Sequence, residues 1–142
     1  RDHAERWFGF QQVLQGEFPA LRLLPPCEGL DDAARCSALA QELLASHPRL
    51  RALYNIGAGT DGIVAALDAS GRAREIVFLA HDLTHITRDA LLRGTVDAVI
   101  HQDAAHEVRS ALRQALAQLT REPVDADVER IRIDIYLRDN LP

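Results

Sequence analysis

The 142-residue chain has no methionine, only two cysteines and few aromatic residues. Because it also begins with an arginine, we expect a processed or excised piece of a longer protein. No apolar run approaches the roughly 20 residues that a membrane-spanning helix needs, so we predict no contact with a membrane. The spacing of Cys27 and Cys36 fits neither a CxxC redox motif nor paired zinc knuckles. We therefore interpret them as free thiols in a reducing cell.

Lysine is absent, and the 16 arginines face 21 aspartates and glutamates, which gives a net charge of −5. Nucleic-acid binding needs a basic face that neutralises phosphates, so we exclude direct DNA or RNA binding by this chain. The apolar content of 47% and charged content of 26% are ordinary for a globular protein. The length indicates one compact domain or one lobe of a larger one.

Helix-like and strand-like apolar patterns alternate along the chain. Helical spacing predicts helices over 3–17, from an Asp31 N-cap to before Pro48, over 63–67, over 88–93 after a Thr87 cap, and over 104–120. Short apolar runs predict strands over 21–24, 53–56, 76–80, 98–100 and 131–136. This alternation predicts an α/β fold, a three-layer αβα sandwich with a mostly parallel sheet and helices on both faces.

The last predicted strand differs from the others. Ile131, Ile133 and Ile135 alternate with polar residues, which predicts one buried face at the edge of the sheet. The strand over 76–80 is continuously apolar and is expected to be covered on both faces.

Polar residues stand where three predicted strands end. They are Asn55, the pair His81-Asp82 and the run His101-Gln102-Asp103. Ligands of parallel sheets bind beyond the carboxyl ends of the strands, and amides and carboxylates suit a neutral polyhydroxylated ligand. Each position alone is also explained as a cap of the next helix, but the three together favour a binding site.

A glycine motif offers a second interpretation. Residues 57–62 fit GxGxxG between a strand and a helix, and Asp82 follows at the end of the next strand, as in a dinucleotide-binding fingerprint. The unit is the third in the chain rather than the first, which argues against that interpretation. A nucleotide-dependent enzyme that uses Gly57, Gly59, Gly62 and Asp82 therefore remains as the less favoured alternative.

No catalytic or metal site is predicted. His81 and His85 imitate the spacing of a zinc motif, but that motif needs both imidazoles on one helix, and His81 ends a strand. There is no GxSxG nucleophile motif, and the serines lie on or at the ends of predicted helices. We expect the protein not to be an enzyme and to need no cofactor.

Four segments resemble one known family. The run Arg6–Phe10 resembles an RxxGF signature, Phe78–Asp82 an acidic strand end, Val99–Asp103 a crossover between lobes, and Ile133–Pro142 a chain terminus. In this order they resemble the ligand-sensing region of lac-repressor-type (LacI/GalR) transcriptional regulators and type I periplasmic sugar-binding proteins.

The resemblance implies a binding site for a small effector, a sugar or polyol, in a cleft between two lobes. By that likeness Arg6 would donate to ligand hydroxyls, Asp82 would accept from them and Gln102 would bridge at the hinge. Asn55, one residue out of register with the family's pattern, and Trp7, which could stack on a sugar face, complete the implied set.

The resemblance also implies the organisation of the chain. Residues 1–102 and 128–142 would form the C-terminal lobe, and the helix over 103–121 would cross toward an N-terminal lobe outside this chain. The favoured interpretation is a cytoplasmic regulator. It would form a homodimer and contact DNA only through a helix-turn-helix outside the chain. Sugar-induced closure of the cleft would then control DNA binding. The alternative is a periplasmic sugar-binding protein of a transporter.

Overall fold

The computed structural model describes residues 2–142, with side chains from residue 3 onward. Its helices are α1 (Asp2–Glu17), α2 (Ala33–Ser46), α3 (Thr60–Ser70), α4 (His85–Arg93) and α5 (Ala104–Thr120). Its strands are β1 (Ala52–Tyr54), β2 (Val77–His81), β3 (Ala98–Gln102) and β4 (Ile133–Tyr136). The sheet has the order β1-β2-β3-β4; the first three strands are parallel and β4 runs antiparallel to β3. The predicted α/β class with a mostly parallel sheet is confirmed.

One face of the sheet is sealed by α2, α3 and α4. The side chains of Phe78, Ala80 and Val99 on this face have no exposed surface. They form one apolar cluster with residues of the three helices, among them Leu44 and Leu67. Since burial of apolar surface is the main stabilising contribution to folding, this face holds the core.

The opposite face is covered only at one corner. The strand register pairs Tyr54 with Leu79 and His81 with Ile100, so these side chains share that face. Helix α1 packs there through Phe10, whose ring centroid lies 4.8 Å from that of Tyr54. Away from α1 the face is open, and the exposed fractions are 50% for Val77, 62% for Ile133 and 59% for Ile135.

Helix α5 presents an apolar stripe to solvent. Val108, Leu112, Leu116 and Leu119 recur along it and are 58–83% exposed. The helix is fastened to the segment before β4 by Arg113, which donates to both carboxylate oxygens of Glu129 at 2.6 and 2.9 Å. These hydrogen bonds lower the pKa of Glu129 to about 2. That α5 crosses toward another lobe, as the division at residues 103–121 implies, stays a prediction.

Two strand predictions are wrong in an instructive way. Residues 21–24 form no strand and pair with none of the four strands within residues 2–142, although β1 leaves one edge of the sheet unpaired. In the last strand the predicted buried face, with Ile131, Ile133 and Ile135, is more than half exposed, and the half-buried side chain is Tyr136. Alternation identified an apolar face but not whether anything covers it.

Two predicted helix caps are displaced. Asp32 rather than Asp31 caps α2, with its carboxylate accepting from the Arg35 amide. Thr84 rather than Thr87 caps α4, and the two threonines form a reciprocal capping box that starts the helix earlier than predicted. None of the helices traced between residues 2 and 142 is both long and apolar enough to span a membrane.

Candidate functional site

A cavity of about 360 Å³ opens where the parallel strands end. It lies between the start of α1, the loop after β1, and the turn from β2 to α4. Its wall is formed by His3, Arg6, Asp31, Gly57, Ala58, Gly59, Thr60, Asp61, His81, Asp82, Thr84, Ile86 and Thr87. This is the edge at which a ligand of a parallel sheet is expected.

Arg6 joins three parts of the chain at the cavity. From α1 its guanidinium donates to the Ile56 carbonyl oxygen at 2.7 Å and to Gln102 Oε1 at 2.5 Å. Asp82 closes the group, since its Oδ1 accepts from the Gln102 backbone N–H at 3.2 Å. The structure therefore brings Arg6, Asp82 and Gln102 together, as predicted. Of these three, Arg6 and Asp82 line the cavity directly.

Asp82 keeps most of its hydrogen-bonding capacity. Its side chain is 48% exposed, and one of its carboxylate oxygens lies 3.9 Å from His101 Nδ1. A carboxylate can accept several hydrogen bonds, so Asp82 can still accept from ligand hydroxyl groups.

His81 and Tyr54 form a hydrogen-bonded pair behind the cavity. The Tyr54 hydroxyl lies 2.8 Å from His81 Nε2, and the imidazole is 7% exposed. Burial, and next the positive charge of Arg6, lower the pKa of His81 to about 4. Burial also raises the pKa of Tyr54. Both side chains are therefore neutral near pH 7. No local sequence pattern indicates the pairing, because the partners are 27 positions apart.

Asp31 is a second cavity residue that the sequence did not reveal. Its Oδ1 accepts from the Ala58 backbone N–H at 2.8 Å, which fastens the loop after β1. Leu30 and Asp31 both adopt left-handed backbone conformations, with φ of 54° and 56°. Such angles are costly for residues other than glycine and cluster at functional sites. The adjacent Asp32 serves as the helix cap, so the Asp31 carboxylate bonds to the loop and lines the cavity instead.

Asn55 and Trp7 lie beside the cavity rather than in its wall. Asn55 Nδ2 is within hydrogen-bond distance of the Gly57 and Ala58 carbonyl oxygens and of Thr60 Oγ1, at 2.9 to 3.1 Å. Its amide thus organises the loop. Trp7 packs against Phe10, with ring centroids 6.3 Å apart. Direct contact of either side chain with a ligand stays a prediction.

Residues 1–123 match the family described as periplasmic binding protein domains. The chain belongs to this family. The resemblance to periplasmic binding proteins is thereby confirmed, whereas membership of the regulator branch is not.

Solved structures of similar fold agree with this periplasmic binding protein domain. A sugar ABC transporter sugar-binding protein from Bacillus halodurans is 25% identical, with a TM-score of 0.80 over 96% of this chain and 51% of its own. A solute-binding protein from Agrobacterium vitis, bound to α-D-tagatopyranose, is 20% identical, with a TM-score of 0.85 over 97% and 46%. A glucose-galactose binding protein from Geobacillus stearothermophilus is 18% identical, with a TM-score of 0.83 over 96% and 49%. The chain thus spans about half the length of these proteins.

The glycine motif of this periplasmic binding protein domain serves packing. A Cβ on Gly62 would collide with the Ala33 carbonyl oxygen of α2, and one on Gly59 would lie 2.5 Å from Cys36 Sγ. The Ala58 amide, which could otherwise face a phosphate, already donates to Asp31. The loop therefore brings α3 close to α2, and its geometry does not favour a dinucleotide.

The histidine pair is divided between two elements. His81 ends β2 and His85 begins α4, so the two imidazoles do not share a helix face. Across residues 2–142, no group of three or more His, Cys, Asp or Glu side chains is arranged to hold a metal ion.

Proposed function

We propose that this chain is the sugar-binding lobe of a binding protein that delivers its ligand to an ABC transporter, and that it binds the sugar without transforming it. The observation that carries the proposal is the group formed by Arg6, Gln102 and Asp82 at the mouth of the cavity. The sugar-binding proteins of the same fold support it.

The chemistry of this group suits hydroxyl groups. The Arg6 guanidinium carries five N–H donors, of which the Ile56 and Gln102 contacts use only part. The Asp82 carboxylate supplies acceptors on the same wall. A sugar hydroxyl both donates and accepts, so a ring seated here can use donor and acceptor together.

The charge of the wall favours a neutral ligand. Asp31, Asp61 and Asp82 face the cavity, whereas Arg6 is the one arginine or lysine in its wall within residues 2–142. A phosphate or a sugar acid would meet net negative charge there. We therefore propose an uncharged monosaccharide or polyol rather than a nucleotide or sugar phosphate.

A thermal-shift screen tests the proposal on the intact protein that carries this chain. The panel contains D-glucose, D-galactose, D-tagatose, a sugar phosphate and NAD. At a hundredfold excess over Kd, binding stabilises a protein by about 2.7 kcal/mol. We expect a neutral sugar to raise the Tm of the wild type and of D89A, whose carboxylate is outside the cavity wall, but not of D82A. Stabilisation by NAD alone would contradict the proposal.

The regulator hypothesis differs from this proposal in partners and location. It requires a homodimer, a DNA-binding segment outside this chain and a cytoplasmic location, whereas a transporter's binding protein is exported. The ABC transporter binding proteins among the similar structures support a role in transport. Recovery of the protein from the cytoplasmic fraction as a dimer, with sugar-dependent DNA binding, would favour the regulator instead.

A further inference from the structure

His81 carries a hydrogen-bonding atom that lacks a partner. Its Nε2 is engaged by Tyr54, but its Nδ1 is buried and no group within residues 2–142 bonds to it. The imidazole is more than nine-tenths buried and forms part of the cavity wall. A buried polar atom without a hydrogen-bond partner destabilises the site, so the site gains from a ligand that supplies one.

The hydrogen bond between Tyr54 and Nε2 determines whether Nδ1 donates or accepts. A phenol is the stronger donor and a neutral imidazole nitrogen the stronger acceptor, so the Tyr54 hydroxyl donates to Nε2. The proton of the neutral ring then resides on Nδ1, which becomes a donor held in one orientation. Near pH 7 the ring does not gain a second proton, since its pKa is about 4.

The neighbours of His81 supply the complementary chemistry. The charged or titratable groups that act on the ring are Arg6, Asp82 and His3, and all three also line the cavity. A hydroxyl seated between His81 and Asp82 can accept from Nδ1–H and donate to the carboxylate. His3 and Asp82 are exposed side chains on the same wall as His81.

We propose that His81 is a specificity-determining residue of the cavity, which recognises one hydroxyl group of the bound sugar through Nδ1. This inference rests on the proposed function, because it assumes that the cavity holds a sugar. It predicts selection against the analogue that lacks this hydroxyl, since the analogue leaves the buried donor unpaired.

Two substitutions separate ligand recognition from packing. The amide of H81N lies near the position of Nδ1, whereas the longer side chain of H81Q reaches the position of Nε2 and keeps the contact with Tyr54. Calorimetric titration uses whichever of D-glucose, D-galactose or D-tagatose stabilises the wild type most. We expect H81Q to lose affinity about tenfold or more, and H81N to stay within about threefold of the wild type.

Monodeoxy analogues of the same sugar identify the hydroxyl. For one of them the affinities of wild type and H81Q should coincide, because the group that His81 contacts is already absent. If galactose is the ligand, D-fucose, which is galactose without its terminal hydroxyl, belongs to this series.

A measurement on the wild type serves if a variant fails to fold. Nitrogen NMR of the imidazole should show the Nδ1 resonance of His81 move when the sugar is added. Retained affinity in H81Q together with lost affinity in H81N, or an unmoved Nδ1 resonance at saturation, would overturn the inference and leave the proposed function intact. A wild type that binds none of the sugars would overturn both.

Discussion

The two faces of the sheet are covered very differently. On one face α2, α3 and α4 bury Phe78 and Val99 completely. On the other, α1 covers the corner around Tyr54 and His81, and Val77 is half exposed. The closed face supplies stability, whereas the open face carries Arg6 and His81 of the candidate site. An apolar residue on the closed face therefore contributes more to stability than one on the open face. Four substitutions, with control variants, test this contrast.

Truncation of the core should have the largest effect. We expect F78A to lower the free energy of unfolding by about 3–5 kcal/mol, because the ring is fully buried and its loss leaves a cavity. Urea denaturation measures this. F8A is the control on α1, where the ring is 61% exposed, and should change stability by less than about 0.5 kcal/mol. Equal losses in the two variants would contradict the contrast between the faces.

A methyl group between α2 and α3 should be the next most damaging change. G62A places a Cβ against the Ala33 carbonyl oxygen, so the helices must separate, at a cost of about 1–3 kcal/mol. G9A on α1 meets no atom within 4 Å and should stabilise the protein by up to about 1 kcal/mol through helix propensity. Thermal unfolding of both variants checks the opposite signs.

Acidification should weaken the protein through His81. In the unfolded chain the imidazole gains a proton near pH 6.5, whereas in the native state it does so only near pH 4. The free energy of unfolding should therefore fall as the pH drops from about 6.5 to 4, by about 1–2 kcal/mol after allowance for solvent screening. H81F should flatten this part of the stability profile, and H85Q, on the exposed start of α4, should retain it. An unchanged slope in H81F would contradict the assignment.

The smallest effect is expected on α5. Leu119 is 83% exposed, so L119S should change the stability of this chain by less than about 0.5 kcal/mol. Denaturation at several protein concentrations checks it. A larger loss that grows with concentration would show that a second copy covers the stripe.

The sequence predicted the fold best where burial follows from local pattern. The parallel strands β1, β2 and β3 were found within a residue or two, because each is a short apolar run between helices. Residues 21–24 and the isoleucines of β4 were misjudged, since their state depends on neighbours that periodicity does not reveal.

In the candidate site as well, residues in local motifs could be predicted, whereas residues that depend on distant contacts could not. Arg6, Asp82 and Gln102 follow motifs that are local in sequence, and the structure brings them together. Asp31 and His81 depend on single contacts, with Ala58 and Tyr54, each 27 positions away. No local pattern records such pairings.

The position of Arg6 has a kinetic consequence. Its two hydrogen bonds reach partners 50 and 96 positions along the chain, so they close large loops. Contacts of such high sequence separation are entropically costly and slow to form. The local helices and the β1–β2–β3 units can assemble before them. Ligand-binding competence should therefore arise only at the last stage of folding, and disappear first in partial unfolding that releases α1.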